Sequence, residues 1–170
     1  MRHPRIAFAA LTLSAAGFAG LVLEESYTDR AVIPTKGDRP TVGFGSTFRD
    51  DGTPVQMGDT ITPARAIARS VSHIAKDESG LKRCVTGAMS QTEYDILVKF
   101  AYQYGVTATC NSSMVRNINA GQYSQSCEGY ALYKLSQKRD CSLPVNWGPQ
   151  GCKGVWTRNL ERRDMCLAAQ

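Results

Sequence analysis

Two carboxylates and several hydroxyls lie close together in the first third of this chain. Glu25 closes a long apolar stretch, Asp38 sits in a loop that contains Pro and Gly, and Thr41-Val42-Gly43-Phe44-Gly45-Ser46 follows as an alternating, strand-like run with two glycines. Carboxylates and hydroxyls gathered around a turn suit acid-catalysed cleavage of a glycosidic bond. One acid protonates the leaving oxygen while a second polar group handles water or a cation-like sugar. Taken alone, the same residues also fit an acidic loop beside a hairpin, so the rest of the chain must decide.

The elements around these residues come first. Arg2 and Arg5 precede residues 6–23, which carry no charge, and Glu24-Glu25 follow. Such a run is at the short limit for a membrane-spanning helix and long for a signal-peptide core. The flanking charges orient its N-terminal end towards the cytoplasm. Three readings compete: a cleavable signal cut near Ala16, Ala19 or Gly20, a permanent anchor, and an anchor that leaves the membrane to join the fold. Cleavage after Ala19 would remove most of the helix that holds Glu25, which favours the releasable anchor. Its many Ala and Gly residues make it weakly hydrophobic, and it contains no cysteine that could support disulfide exchange.

Further on, Asp50-Asp51-Gly52 reads as a turn, and Thr62-Pro63 as N-cap and first position of a helix over 63–79. Ile67, Val71 and Ile74 supply its apolar stripe at helical spacing. Ser90 and Glu93 form a capping box for a helix over 91–104, lined by Tyr94, Leu97, Val98, Ala101 and Tyr104. Shorter helices are predicted over 114–119 and 127–135, a polar loop over 136–153, and a last helix over 155–168. The expected class is α+β, mainly helical, with a small β-hairpin sheet near residues 30–60 and an N-terminal apolar helix. The chain divides into residues 1–23, the anchor segment, and 24–170, the soluble domain.

With 170 residues, 42% of them hydrophobic, the chain can bury the core of one domain. Its net charge of +5 favours an anionic partner such as a wall polymer, a membrane surface or nucleic acid. No aromatic RNA-binding motif or basic zipper is present, which argues against nucleic acid. The six cysteines are Cys84, Cys110, Cys127, Cys141, Cys152 and Cys166, with no CxxC pair, and the histidines are His3 and His73. That pattern argues against zinc and for disulfides in an oxidising compartment. Of the possible pairs, Cys141 and Cys152 are favoured because they bracket a loop containing Pro and Gly. No metal or cofactor is expected.

Four motifs then resemble, in order, the phage lysozymes of glycoside hydrolase family 24. They are Glu25 followed by Pro40–Thr47; Ser90–Leu97 leading into Phe100-Ala101-Tyr102-Gln103-Tyr104-Gly105; Met114–Gly121; and Gly154-Val155-Trp156-Thr157-Arg158. Together they span about residues 24–167. With the apolar N-terminus, the chain resembles the signal-anchor-release type. The resemblance implies a lysozyme-like fold and a muramidase that cleaves the β-1,4 bond between N-acetylmuramic acid and N-acetylglucosamine in peptidoglycan.

By position, the resemblance makes Glu25 the general acid at the end of the first helix and Thr41 the residue that helps order water. Gln103 matches a position lining the sugar cleft, and Arg158 an arginine of the last helix with a structural part. Glu24 and Glu25 diverge by about 100° on a helix, so only one can face the cleft; the spacing to Thr41 favours Glu25. The chain also departs from the family. Pro34 stands where an aspartate is usual nine residues after the glutamate, and Thr35 takes that place when counted back from Thr41. Asp38 is the nearest acid. Ser46 stands where histidine is common, and Asn159 where a second arginine is. Asp38 or Thr35, with Thr41, is expected to handle water. The rival readings are a membrane-tethered wall-binding protein without catalysis and a lytic transglycosylase. The expected locations are the host inner membrane and then the periplasm, as a monomer.

Overall fold

The capping box at Ser90 and Glu93 sets the start of the helix around which the molecule packs. The Ser90 hydroxyl accepts from the Glu93 amide at 3.3 Å, and the Glu93 carboxylate accepts from the Ser90 amide at 2.8 Å. In the computed structural model, which describes residues 4–34, 37–149 and 151–170, this helix, α3 (Gln91–Tyr104), is buried on both sides. Tyr94, Leu97, Val98 and Ala101 enter one apolar cluster with Ile74, Leu81, Val115 and Ile118. Ile96 and Phe100 enter a second with Met114, Tyr130 and Cys166. With apolar residues on two faces, each covered by its own cluster, the helix belongs in the interior.

The apolar run before Glu25 is divided. Ile6–Ala7 form β1, paired antiparallel with β4 (Ala88–Met89), and Phe8–Ala10 make a 3-10 turn. The helix proper, α1, is Ala15–Glu25. Ser14 starts it, its side chain accepting from the Gly17 amide at 2.9 Å, which ends the extended segment before it. Phe8, Leu11 and Leu21 are buried in the main cluster. Gly17 lets α1 approach α3: a Cβ there would lie 2.7 Å from Asp95 Cγ. Among the described residues, no helix is long and apolar enough to cross a membrane.

The hairpin consists of β2 (Thr28–Val32) and β3 (Thr41–Gly43), antiparallel with Thr28 opposite Gly43 and Val32 opposite Thr41, and irregular between. Ala31, Val42, Phe44, Val55, Ile61 and Ala66 form its core. The last of these belongs to α2 (Pro63–Leu81), capped by Thr62 as its sequence indicates. The predicted stripe of α2 is corrected. Ile67 and Val71 are 43% and 51% exposed, and the inward face is Ala66, Ser70, Ile74, Asp77 and Leu81. Close packing selects this face. Gly43 abuts Ala66 so closely that a Cβ on the glycine would be 3.0 Å from that of Ala66, and a branched side chain at that contact would hold the hairpin off.

After α3 come α4 (Val106–Cys110), α5 (Ser113–Asn119) and α6 (Tyr123–Glu128). The helix predicted over 127–135 is also corrected. It starts earlier, passes into a 3-10 turn at Gly129–Leu132, and gives way to β5 (Leu135–Ser136), paired with β6 (Arg139–Asp140). Gly129 is pressed against Met114 and Tyr130 is packed edge-on to Phe100, so burial rather than helix propensity sets the path. The last helix, α7, spans Lys153–Ala168. Disulfides join Cys84 to Cys110, Cys127 to Cys166 and Cys141 to Cys152. Arg5 Nη2 sits 2.7 Å from Glu93 and 2.6 Å from Gln170 Oε1, and Gln170 Nε2 donates to Glu93 at 3.0 Å.

Candidate active site

Two adjacent carboxylates end α1, and their surroundings differ. Glu24 is held by the Lys99 ammonium of α3 and by Arg162 Nη2 of α7 at 3.1 Å. Arg162 is itself buried, and its Nη1 donates to Gln103 Oε1 at 2.8 Å and Asn159 Oδ1 at 3.0 Å. Asn159 donates in turn to the Tyr104 hydroxyl at 2.8 Å. Glu24 is therefore tied to α3 and α7.

Glu25 meets a drier and less satisfied environment. Its Oε1 lies 3.4 Å from Arg158 Nη1, and its other oxygen faces Gly45. A Cβ on Gly45 would come within 2.8 Å of Oε2, so backbone forms the wall there. Burial raises the Glu25 carboxyl above the ordinary range. Arg158 and Arg162 pull against that rise, and Glu24 adds to it. A carboxyl whose proton is held more tightly in this way is better equipped to donate it.

The wall opposite Glu25 is a turn. Val42 and Ser46 exchange backbone hydrogen bonds of 3.0 and 3.1 Å. Gly43 and Gly45 between them have φ of +70° and +72°, a region that favours glycine. The two glycines singled out in the sequence are thus needed for the turn's shape, and one also for its approach to Glu25.

The described residues among the others named from sequence each have a partner other than Glu25. Thr41 opens β3, its hydroxyl 3.5 Å from the Val32 carbonyl. Asp38 accepts from the Gln137 side chain at the tip of the β5–β6 hairpin. Gln103 spends its side-chain oxygen on Arg162. Thr35 lies outside the described residues. A local reading of the sequence missed Arg162 and Tyr102 as parts of the site, and it gave Arg158 no contact with Glu25. The four-residue spacing of Arg158 and Arg162 on one helix was the available signal. Among the described residues, no group of three or more His, Cys, Asp or Glu side chains could hold a metal ion. A groove of about 590 Å³ between α2 and the hairpin, lined by Phe48, Arg69, His73 and Lys76 among others, does not include Glu25.

A partly buried glutamate at a helix end, walled by a small hairpin and backed by a helical body, defines a lysozyme-like glycosidase. The phage lysozyme family model matches residues 18–144, and the chain belongs to that family. The endolysin of Salmonella phage P22 is 27% identical over 135 residues, covering 79% of this chain and 92% of that one. The endolysin from Escherichia coli O157:H7 phage FAHEc1 superimposes with a TM-score of 0.77 at 23% identity, over 95% of this chain and 96% of the other. The active form of the P1 phage endolysin Lyz gives 0.70 at 15% identity, over 94% and 86% of the two chains. The secreted inactive form of Lyz gives 0.52, over 92% and 96%. At these identities the structural likenesses speak to the fold.

Proposed function

We propose that Glu25 is the general acid of an endolysin that hydrolyses the β-1,4 bond between N-acetylmuramic acid and N-acetylglucosamine in peptidoglycan, for lysis of the host cell. Family membership makes the chain a lysozyme-type glycoside hydrolase acting on peptidoglycan. The observation that carries the assignment to Glu25 is its place between Arg158 and the Gly45 wall, where burial raises its carboxyl. Glu25 protonates the departing glycosidic oxygen, and positive charge grows on the sugar carbon left behind. Water, oriented by the Thr41 hydroxyl with Asp38 or Thr35, then attacks that carbon and releases a proton to solvent, from which Glu25 is reprotonated. For Asp38 to take part, its bond to Gln137 must open.

Release of muropeptides from purified walls tests this. Glu25→Gln keeps the shape and removes the proton, and its activity should fall to near background. Unchanged release by Glu25→Gln would move the acid elsewhere. Mass spectrometry of the products distinguishes hydrolysis from transglycosylation, which leaves an anhydro ring.

The apolar N-terminus supports a proposal about location. While residues 6–23 sit in the inner membrane, Phe8, Leu11 and Leu21 cannot fill the main cluster that includes them in the folded form. The inserted and folded states thus exclude each other. Release into the periplasm would let α1 dock and bring Glu25 to the hairpin. The closer likeness to the active than to the inactive form of Lyz supports this reading of the folded state. Fractionation with N-terminal sequencing checks it: a fully active mature protein that begins near residue 20 would overturn it.

A further inference from the structure

Tyr102 of α3 meets the glycine turn at a single atom. Its hydroxyl donates to the carbonyl of Phe44 at 2.8 Å, and Phe44 is the middle of Gly43-Phe44-Gly45. The next residue, Gly45, walls Glu25. The Tyr102 proton is spent on Phe44, so Ser70 of α2, 3.3 Å away, must be the donor in their contact. The His73 ring packs on the Tyr102 ring at 4.7 Å between centroids. One oxygen therefore ties the hairpin to both α2 and α3, immediately behind the turn that shapes the site.

We propose that Tyr102 is a positioning residue for Glu25: its hydroxyl pins the Gly43–Gly45 turn against the Glu25 carboxyl and so keeps that carboxyl dry. This deepens, and rests on, the reading of Glu25 as general acid. The charged groups that face Glu25 are Glu24 on α1 and Arg158 and Arg162 on α7. Those that face Tyr102 from α2 are His73 and Asp77. Burial raises the Tyr102 hydroxyl, so it stays a donor throughout the working range. The tether itself does not titrate; it governs how much water reaches a group that does. Water at Glu25 would favour its charged form. The acid would then be lost at lower pH, and the alkaline limb of the rate profile would move with it.

Tyr102→Phe deletes the hydroxyl and keeps the ring against His73. Purified wild-type, Glu25→Gln and Tyr102→Phe proteins are compared on purified peptidoglycan, with kcat and KM followed across pH and thermal melts recorded alongside. For Tyr102→Phe, kcat should fall by about tenfold with KM nearly unchanged, because misplacement at the reacting centre acts on the chemical step. The alkaline limb should move down by about half a pH unit. Wild-type kcat and an unmoved limb would overturn the proposal. So would a loss of activity that merely follows a lower melting temperature with the limb in place. If Tyr102→Phe does not fold, Ser70→Ala, which removes one of the tether's supports, decides by the same limb. A smaller downward shift supports the proposal, and none overturns it. Full activity of Glu25→Gln would instead sink the general-acid reading beneath it.

Discussion

The hairpin, from Thr28 to Ile61, relies on six apolar residues and on ion pairs open to solvent on at least one side: Arg49 with Asp59 at 2.7 Å, and Arg65 and Arg69 of α2 each 2.6 Å from Asp50. The helical body, from Leu81 to Cys166, has two apolar clusters and all three disulfides. Exposed pairs add little and weaken with salt, whereas cross-links restrict the unfolded chain wherever it goes. Glu25 stands where these two regions meet, with the body's Arg158 on one side and the hairpin's Gly45 on the other. The contrast teaches a division of labour. The body holds the acid still, and the softer hairpin sets its environment, so damage to the body should register as lost stability and damage to the hairpin as lost chemistry.

The largest effect belongs to the meeting point. Glu25→Gln should lower kcat by roughly 10²–10⁴-fold, read from muropeptide release. Its stability should move the other way. The folded protein binds the Glu25 proton more tightly than the unfolded chain, so wild-type stability falls as pH rises from the ordinary carboxylate range through the raised value. The variant lacks that loss. Melts should show it no less stable than wild type at neutral pH.

Next, replacing Cys127 and Cys166 by serine opens a link across 39 residues of the body. It should cost about 2–5 kcal/mol in denaturant unfolding, with kcat of the folded fraction retained. A lost kcat at full stability would break the contrast.

On the hairpin, Gly45→Ala and Gly52→Ala make a matched pair. Their φ values are +72° and +83°, but an added Cβ meets Glu25 at the first and nothing within 4 Å at the second. Each should lose about 1 kcal/mol from backbone strain, and only Gly45→Ala should also lose most of its activity.

The smallest effect is expected at Asp77 on α2, whose carboxyl burial pushes up to about 7. Its Oδ2 is buried without a hydrogen bond, and His73 Nε2 is 3.5 Å away. Wild-type stability should therefore decline as pH rises from about 4 to about 7. Asp77→Asn should remove the Asp77 share of that slope and melt higher than wild type at pH 8, measured by thermal melts across pH.

Local chemistry made much of this legible in advance. Ser90 with Glu93, and Thr62 with Pro63, mark helix starts because capping involves residues within four positions of each other. The choice of Glu25 over Glu24 followed from position relative to Thr41, and the two side chains do face different surroundings. What local reading missed depends on residues far apart in the chain. Arg158 reaches Glu25 across 133 positions, and Gln137 reaches Asp38 across 99. The inward face of α2 was misjudged because apolar content pointed to Ile67 and Val71, while the closeness of Gly43 demanded Ala66. Of the cysteine pairs, only Cys141–Cys152 could be anticipated, since it spans 11 residues; the other two close through the packed helices.

Arg5 and Gln170 grip one carboxylate, that of Glu93. A short linker joining those two residues, with a new opening at the exposed Gly52 turn, would yield a circular permutant that keeps the Glu93 contacts and gives up only those of the opened turn. Placing the apolar stretch mid-chain in this way would show whether the proposed anchoring and the proposed chemistry at Glu25 can be separated.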